Sequence, residues 1–172
     1  MDERDAVSLI AGAIPRTAGV WADIGAGAGT FTRALLQLLG PGSRVYAIDR
    51  DRKALSRLTS DSVIPVVADL AQPFELPGDP APRLDGIVCA NILHYFSDPG
   101  ELLGRLVPWL GSNGRVVIVE YDGRRPNRWV PYPIPRSRLS DLARNAGLQP
   151  PTITAERPSS YGGTIYVAAV ER

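Results

Sequence analysis

The fold of this chain is decided by the stretch VWADIGAGAGTF, residues 20–31. Its first five residues are mostly apolar and predict a buried strand, and a helix is predicted directly afterwards, from Phe31 to Leu39. Between the two, Gly25, Gly27 and Gly29 lack the Cβ atoms that would hold a ligand away from the backbone. The first turn of the helix directs free N–H groups towards the same point. The stretch therefore predicts a nucleotide-like ligand at a strand-to-helix turn.

The spacing of the glycines separates this turn from the dinucleotide-binding fingerprint. That fingerprint, Gly-x-Gly-x-x-Gly, would need its third glycine at the position of Thr30. The carboxylate of Asp23, two residues before Gly25, would repel a pyrophosphate and attract a cationic ligand or an amine. A NAD-binding oxidoreductase is therefore the least favoured function. A tight glycine turn in some other α/β protein stays open as an alternative.

The composition is that of one globular domain. The chain has 172 residues, 44% hydrophobic and 22% charged, which is enough for a single core. We expect one domain over residues 1–172, with a short N-terminal helix within residues 1–18. The net charge of +1 provides no global field for nucleic acid or an anionic membrane.

The single cysteine and the single histidine limit the chemistry. Cys89 has no partner for an internal disulfide, and with His94 as the sole histidine we expect no metal site. Cys89 lies in an apolar run and is interpreted as a buried core thiol. We find no signal-peptide pattern and no apolar run long enough to span a bilayer, so we expect a cytoplasmic protein.

Two further acids follow predicted strands. Asp49 ends the strand predicted over 44–48, where an acid is placed to accept hydrogen bonds from both ribose hydroxyls. It has an alternative role as the N-cap of a helix predicted from Arg52 to Leu58. Asp69 follows the strand predicted over 63–68, and its alternative role is that of a helix cap or loop acid. The loop from Ala71 to Arg83 shows little helical pattern.

The fourth predicted strand, Leu84 to Ala90, is followed by Asn91-Ile92-Leu93-His94-Tyr95-Phe96. Asn91 therefore stands at the carboxyl end of a strand, where ligands bind in open sheets. His94 is a candidate general base, because an imidazole exchanges a proton near neutral pH. The competing interpretation is a histidine that satisfies a loop or packs beside Tyr95 and Phe96.

The rest of the chain predicts alternating elements with a hairpin at the end. The expected elements are an N-terminal helix (5–14), a capped helix (99–110), a turn (111–114), a strand (115–122), a helix (137–145) and two strands (152–155 and 164–170). A strand–turn–strand ending on a βαβ chain implies one antiparallel strand.

Residues 123–138 differ in composition from the rest of the chain. They hold several prolines, five arginines and the aromatic residues Trp129 and Tyr132. Leaving the carboxyl end of the fifth strand, this segment is the candidate substrate loop, for an anionic or planar molecule. The alternatives are a solvated linker and, with arginines beside aromatics, an RNA contact, which the near-zero net charge disfavours.

Together these features resemble the class I S-adenosylmethionine-dependent methyltransferases, in particular the small-molecule, type 11-like members. Residues 23–29 resemble their motif I, and Asp85 with the continuation Asn91-x-Leu93-His94 resembles motif IV. Motif IV lacks the Asn-Pro-Pro-Tyr sequence of enzymes that methylate N6-adenine or glutamine, which counts against those substrates. The resemblance implies an α/β fold: a doubly wound, mostly parallel, seven-stranded, Rossmann-like sheet of order 3-2-1-4-5-7-6 with strand 7 antiparallel.

The resemblance also implies the cofactor S-adenosylmethionine and the residues that hold it. Motif I would hold the methionine part, Asp49 the ribose and Asp69 the adenine. The full expected set is Asp23, Gly25, Ala26, Gly27, Gly29, Asp49, Arg50, Asp69, Leu70 and Asn91. The implied reaction is methyl transfer to a nucleophilic atom of a small molecule, with His94, Tyr95 and Glu120 as weak candidates for positioning or deprotonating it. A non-catalytic binding module and an RNA methyltransferase stay open as alternatives, and so does the oligomeric state.

Overall fold

A seven-stranded sheet forms the centre of the protein, whose computed structural model describes residues 1–78 and 82–172. The strands are β1 (Val20–Ile24), β2 (Arg44–Asp49), β3 (Val63–Val67), β4 (Leu84–Ala90), β5 (Leu110–Asp122), β6 (Thr152–Pro158) and β7 (Thr164–Glu171). Their order is β3-β2-β1-β4-β5-β7-β6, with β7 antiparallel to both neighbours and the other pairs parallel. The predicted fold class, strand order and antiparallel strand are confirmed.

The central strands end together at one edge of the sheet. Ile24 of β1 pairs with Ile48 of β2 on one side and with Cys89 of β4 on the other. The chain therefore leaves these three strands at the same level. Because the strand order reverses between β1 and β4, this edge is the switch point at which open α/β sheets bind ligands.

Helices cover both faces of the sheet. They are α1 (Glu3–Ile10), α2 (Thr30–Leu38), α3 (Arg52–Leu55), α4 (Pro99–Leu106) and α5 (Arg136–Asn145). Apolar residues of α1 and α2 pack with Trp21 and Val117 on one face, whereas α4 and α5 pack with Ile87 and Tyr166 on the other. Within residues 1–78 and 82–172, every helix is too short or too polar to cross a membrane.

Three predicted helices differ in their bounds. The N-terminal helix covers Glu3–Ile10 rather than 5–14, because the carboxylate of Asp2 accepts from the N–H of Asp5 and caps it earlier. The third helix is a single turn, Arg52–Leu55. The helix predicted to reach Leu110 ends at Leu106 and continues as a 3₁₀ turn, Val107–Trp109, since Pro108 has no N–H to extend it.

The turn predicted over 111–114 is wrong. These residues continue strand β5, which begins at Leu110, and the register against β4 shifts between the pairs Leu84–Leu110 and Gly86–Arg115. A Cβ on Gly114 would lie 3.0 Å from the carbonyl oxygen of Leu84, so the glycine permits a close backbone approach here. The loop predicted from Ala71 to Arg83 has no helix in its described residues, and residues 79–81 lie outside them.

Candidate functional site

The glycine turn after β1 is bound to the end of β2. The N–H groups of Gly25 and Ala26 both donate to the carbonyl oxygen of Ile48, at 2.8 and 2.9 Å. Gly25, Gly27 and Gly29 have positive φ angles of 74°, 51° and 82°, which residues with a Cβ rarely adopt. The three glycines are therefore needed by the backbone conformation itself.

Asp49 links the glycine turn to the loop that follows β2. Its Oδ2 accepts from the N–H of Gly27 at 2.8 Å, and its Oδ1 accepts from the N–H of Asp51 at 2.8 Å. The alternative role considered for Asp49, as N-cap of α3, is wrong. Asp51 is that cap, because its Oδ1 accepts from the N–H groups of Lys53 and Ala54.

Asp23 lies beneath the glycine turn. Its side chain is 1% exposed, and its Oδ2 accepts from the hydroxyl of Thr32 in the first turn of α2 at 2.6 Å. Burial raises the pKa of Asp23 to about 6, although the hydrogen bond from Thr32 opposes the increase. Asp23 therefore ties β1 to α2 from below.

A cavity of about 710 Å³ opens at the carboxyl edge of the sheet, a volume in the usual range for ligand pockets of about 300–1,000 Å³. The predicted site residues in its wall are Gly25, Asp49, Arg50, Asp69, Leu70, Asn91 and Tyr95. The predicted residues outside this wall are Asp23, Ala26, Gly27, Gly29, His94 and Glu120. The sequence interpretation assigned no cofactor contact to six further wall residues: Ala68, Ala71, Ile92, Phe96, Arg128 and Trp129.

In the wall of this cavity, the backbone of Gly25 lies close to the side chain of Ile92. A Cβ at this position would lie 2.7 Å from Cδ1 and Cγ1 of Ile92 on the loop after β4. Because Gly25 has no Cβ, its backbone forms part of the cavity wall next to the apolar side chain of Ile92. The nearby carboxylate of Asp69 also faces this cavity, and its Oδ1 accepts from the N–H of Ala71 at 2.9 Å in a loop turn.

Asn91 has two unusual features. Its φ of 54° is the sole positive value at a non-glycine residue in the described chain, and its N–H donates to the carbonyl oxygen of Val119 at 2.9 Å. Its side-chain Oδ1 is buried and has no hydrogen-bond partner among the described residues. A buried amide oxygen without a donor is rare, and it indicates a place for a ligand.

His94 is held by Glu120 of β5. The histidine is 2% exposed, its Nδ1 lies 2.7 Å from Oε2 of Glu120, and its backbone N–H donates to Oε1 at 3.2 Å. Its carbonyl oxygen accepts from the N–H of Tyr132 at 3.0 Å. The pair thus ties the 3₁₀ turn Leu93–Tyr95 to β5 and to the following segment, which favours the interpretation of His94 as a loop-satisfying residue.

The segment over residues 123–135 covers part of the larger cavity. Val130 and Ile134 are buried, and the hydroxyl of Tyr166 donates to the carbonyl oxygen of Ile134 at 2.7 Å. Between these anchors and β5, Arg128 and Trp129 reach the cavity wall, with the guanidinium 4.8 Å from the indole ring. Trp129 stays 65% exposed. The segment is therefore fixed at one end and open to solvent at the cavity.

A smaller cavity of about 430 Å³ lies on the other side of Asn91. Its wall combines Met1, Asp5 of α1, Asn91, Tyr121, and residues of β6, β7 and their turn (Arg157, Pro158, Ser159, Ser160, Tyr161, Ile165). Asn91 is thus part of the wall of both cavities. This second cavity could not be predicted from the sequence, because its wall residues are separated by up to 164 positions, from Met1 to Ile165.

Comparison with known sequences identifies the family. Residues 22–116, more than half of the chain, match the family described as "Methyltransferase domain". The chain belongs to this methyltransferase family. The match covers β1, the glycine turn, the loop after β4 and the start of β5, so it includes most of the larger cavity's wall. The family resemblance predicted from the glycine turn is confirmed.

This methyltransferase domain is similar to part of a curated relative. It is 33% identical over 108 residues to the probable cobalt-precorrin-6B C(15)-methyltransferase (decarboxylating) of Thermoplasma volcanium, covering 60% of this chain and 51% of that one. The chain thus spans about half the length of that curated relative.

Solved structures have the same fold. The 1,6-didemethyltoxoflavin-N1-methyltransferase of Burkholderia thailandensis, solved with 1,6-didemethyltoxoflavin and S-adenosylhomocysteine, is 26% identical with a TM-score of 0.73, covering 99% of this chain and 77% of that one. The mitomycin 7-O-methyltransferase MmcR is 19% identical with a TM-score of 0.72, covering 99% of this chain and 53% of that one, and shows the fold alone.

Proposed function

We propose that this methyltransferase domain binds S-adenosylmethionine in the larger cavity and transfers its methyl group to a nucleophilic atom of a small molecule. The observation that carries the proposal is the cavity at the switch point, where Gly25, Asp49, Asp69 and Asn91 share one wall. These residues lie at or just after the ends of four different strands, so the fold brings them together. Because the chain belongs to a methyltransferase family, the ligand that we propose for this wall is S-adenosylmethionine.

The wall offers a suitable group for each part of the cofactor. Asp49, fixed by two backbone N–H donors, presents a rigid carboxylate for the ribose hydroxyls. Asp69 and the buried Leu70 would receive the adenine, through its amino group and its ring face. Gly25 and the unpartnered Oδ1 of Asn91 would receive the methionine part, whose amine can donate to an amide oxygen.

Two predicted cofactor residues support the site from outside the wall. Asp23 acts through Thr32 and the start of α2, so we assign it the role of positioning the glycine turn. Gly27 donates its N–H to Asp49 and thereby orients that carboxylate. Both residues would affect binding of the cofactor without touching it.

The chemistry asks little of the protein beyond alignment. When bound, S-adenosylmethionine supplies a methyl group that its positively charged sulfur has already activated. The residues of this chain then have to orient the acceptor and keep water away. Ile92 and Phe96 form an apolar part of the wall, and Trp129 stands at its opening. Residues 123–138 accordingly remain our candidate substrate loop within a single domain.

Tyr95 and His94 have different roles in this proposal. Tyr95 lies in the cavity wall and is about half exposed, so its ring and hydroxyl can contact an acceptor. His94 is a positioning residue, because it holds the turn between Asn91 and Tyr95 against Glu120. A small-molecule acceptor is supported by the solved toxoflavin N1-methyltransferase, to which the chain is 26% identical. A cytoplasmic location stays a prediction.

A ligand comparison tests the cofactor class. We expect S-adenosylhomocysteine to raise the melting temperature of the purified protein by several degrees, and NADH at the same concentration to leave it unchanged. Stabilisation by NADH alone would contradict the proposal and favour an oxidoreductase. Binding of the cofactor without methylated product from any small-molecule acceptor would favour the non-catalytic binding module.

A further inference from the structure

The smaller cavity adjoins the larger cavity, because one residue is part of both walls. Asn91 lies in both walls, and its Oδ1 is buried without a partner in the described chain. An acceptor has to approach the methyl group to within about 3–3.5 Å, so its site must adjoin the cofactor's. By contrast, a cavity of about 400 Å³ between α4 and α5 shares no wall residue with the cofactor cavity. The smaller cavity at Asn91 therefore has the position that an acceptor site requires.

Two tyrosine side chains are part of the wall of the smaller cavity. Tyr121, at the end of β5, is half buried, and Tyr161 projects from the turn between β6 and β7. Burial raises the pKa of Tyr121, so its phenol stays neutral at ordinary pH. Tyrosine faces are suited to stacking against planar conjugated ligands.

A guanidinium group stands over both rings. The Cζ of Arg124 lies 4.7 Å from the centre of the Tyr121 ring and 5.7 Å from that of Tyr161. Within residues 1–78 and 82–172, Arg124 has no carboxylate partner. Arg157, which is part of the wall of the smaller cavity, lies 3.4 Å from a carboxylate oxygen of Asp5. Arg124 thus leaves one uncompensated positive charge beside two aromatic faces.

We propose that the smaller cavity is the acceptor site, and that its acceptor is a planar aromatic molecule carrying an anionic group, held by Arg124, Tyr121 and Tyr161. The anion pairs with the guanidinium, which matches a carboxylate with two parallel hydrogen bonds. The ring lies against the tyrosines, and the atom to be methylated points past Asn91. This inference rests on the proposed function, since it places the acceptor relative to the cofactor cavity.

Matched aromatic acids and amides test the acceptor class. The probes are 2-hydroxybenzoate and 3-hydroxy-2-naphthoate, each beside its neutral amide, added to protein saturated with S-adenosylhomocysteine and followed by saturation-transfer NMR. We expect both acids to bind and both amides to bind about tenfold or more weakly, because a charge-assisted hydrogen bond is lost. Equal binding of acid and amide, or binding of neither acid, would overturn the proposal.

Two arginine variants locate the contact. Arg124→Gln should weaken binding of 3-hydroxy-2-naphthoate about tenfold or more, because Arg124 stands over both tyrosine rings of the cavity wall. Arg125→Gln should leave it unchanged, because no contact of Arg125 with either ring is found among the described residues. An equal loss in the two variants would mean a diffuse charge effect and would contradict the assignment.

Calorimetry with S-adenosylhomocysteine on each protein distinguishes a failure of the acceptor-site proposal from a failure of the proposed function. Retained cofactor binding with no acid binding overturns the acceptor site alone. A wild-type protein that fails to bind the cofactor overturns the proposed function, and this inference with it.

Discussion

The carboxylate of Asp49 accepts a hydrogen bond of 2.8 Å from the backbone N–H of Gly27. The two residues are 22 positions apart: Asp49 ends β2, and Gly27 lies in the turn after β1. Because Gly27 has a φ of 51°, its N–H points towards β2 rather than along a helix. The bond fixes a carboxylate in the cavity wall and the glycine turn with respect to each other. Asp49 thus orders the glycine turn in addition to forming part of the cavity wall.

A methyl group added at Gly25 is expected to weaken binding of the cofactor in the larger cavity. Gly25→Ala places a Cβ 2.7 Å from Ile92 and at a φ of 74°, so we expect at least tenfold weaker binding of S-adenosylhomocysteine. Gly42→Ala is the matched control, because its φ is 84° and no atom lies within 4 Å of the added Cβ. Both variants should lose about 1–2 kcal/mol of stability from backbone strain. Equal affinities in the two variants, measured by calorimetry, would contradict a cofactor contact at Gly25.

The buried carboxyl of Asp23 predicts a pH dependence of stability. Burial raises its pKa from the ordinary 3.8 to about 6, so folded Asp23 binds its proton more tightly than the unfolded chain does. The stabilisation from this proton is fully present below about pH 4 and is lost as the pH rises towards 6. Its size is on the order of 2–3 kcal/mol, at about 1.4 kcal/mol for each pKa unit.

Asp23→Asn should remove that dependence, because an amide does not titrate in this range. We expect the free energy of unfolding of Asp23→Asn, relative to wild type, to rise by on the order of 2–3 kcal/mol between pH 4 and pH 7. Urea denaturation at several pH values measures it, with Asp141→Asn as an exposed control. A constant difference between Asp23→Asn and wild type across this range would show that Asp23 keeps an ordinary pKa.

The pair of His94 and Glu120 is expected to matter more for stability than for chemistry. His94→Ala leaves the fully buried carboxylate of Glu120 without its side-chain partner, so we expect a loss of about 3–5 kcal/mol in urea denaturation. Glu120→Gln, which keeps an acceptor for His94, should cost less than half of that. If His94→Ala instead unfolds at the same urea concentration as wild type, the pair has no structural role.

The strand order could be predicted from the sequence because most of the strands are short apolar runs with a clear end. The order of acids and glycines at those ends also predicted which edge of the sheet carries the larger cavity. The turn over 111–114 was wrong for a physical reason. Gly-Ser-Asn-Gly is a strong local turn signal, but the pairing of Leu110 with Leu84 keeps the chain extended.

The cavity walls could be predicted only in part. Asp23 is in the motif but lies buried under it, bonded to Thr32, which no spacing in the sequence indicates. Glu120 was a candidate on its own, yet its contact with His94 joins residues 26 positions apart. Trp129 reaches the wall only because Val130 and Ile134 are anchored in the core. Such contacts depend on tertiary packing, which the local pattern of residues in the sequence does not predict.

Tryptophan fluorescence should report on the larger cavity. Trp129 is in its wall and exposed, whereas Trp21 is fully buried on β1. We expect S-adenosylhomocysteine to change the emission intensity of the wild-type protein, because a ligand in the cavity displaces water from the indole. The change should be lost in Trp129→Phe and kept in Trp109→Phe. A ligand-induced change that persists without Trp129 would mean that the ligand binds elsewhere.

Calorimetry with S-adenosylhomocysteine on three proteins tests whether the larger cavity binds the cofactor. We expect micromolar binding to the wild type, loss of binding in Asp49→Ala, and unchanged affinity in Asp51→Ala. The Asp51 variant loses the N-cap of α3, at about 1 kcal/mol of stability, but leaves the carboxylate in the cavity wall intact. No binding by the wild type, or equal binding by wild type and Asp49→Ala, would contradict the assignment of this cavity to the cofactor.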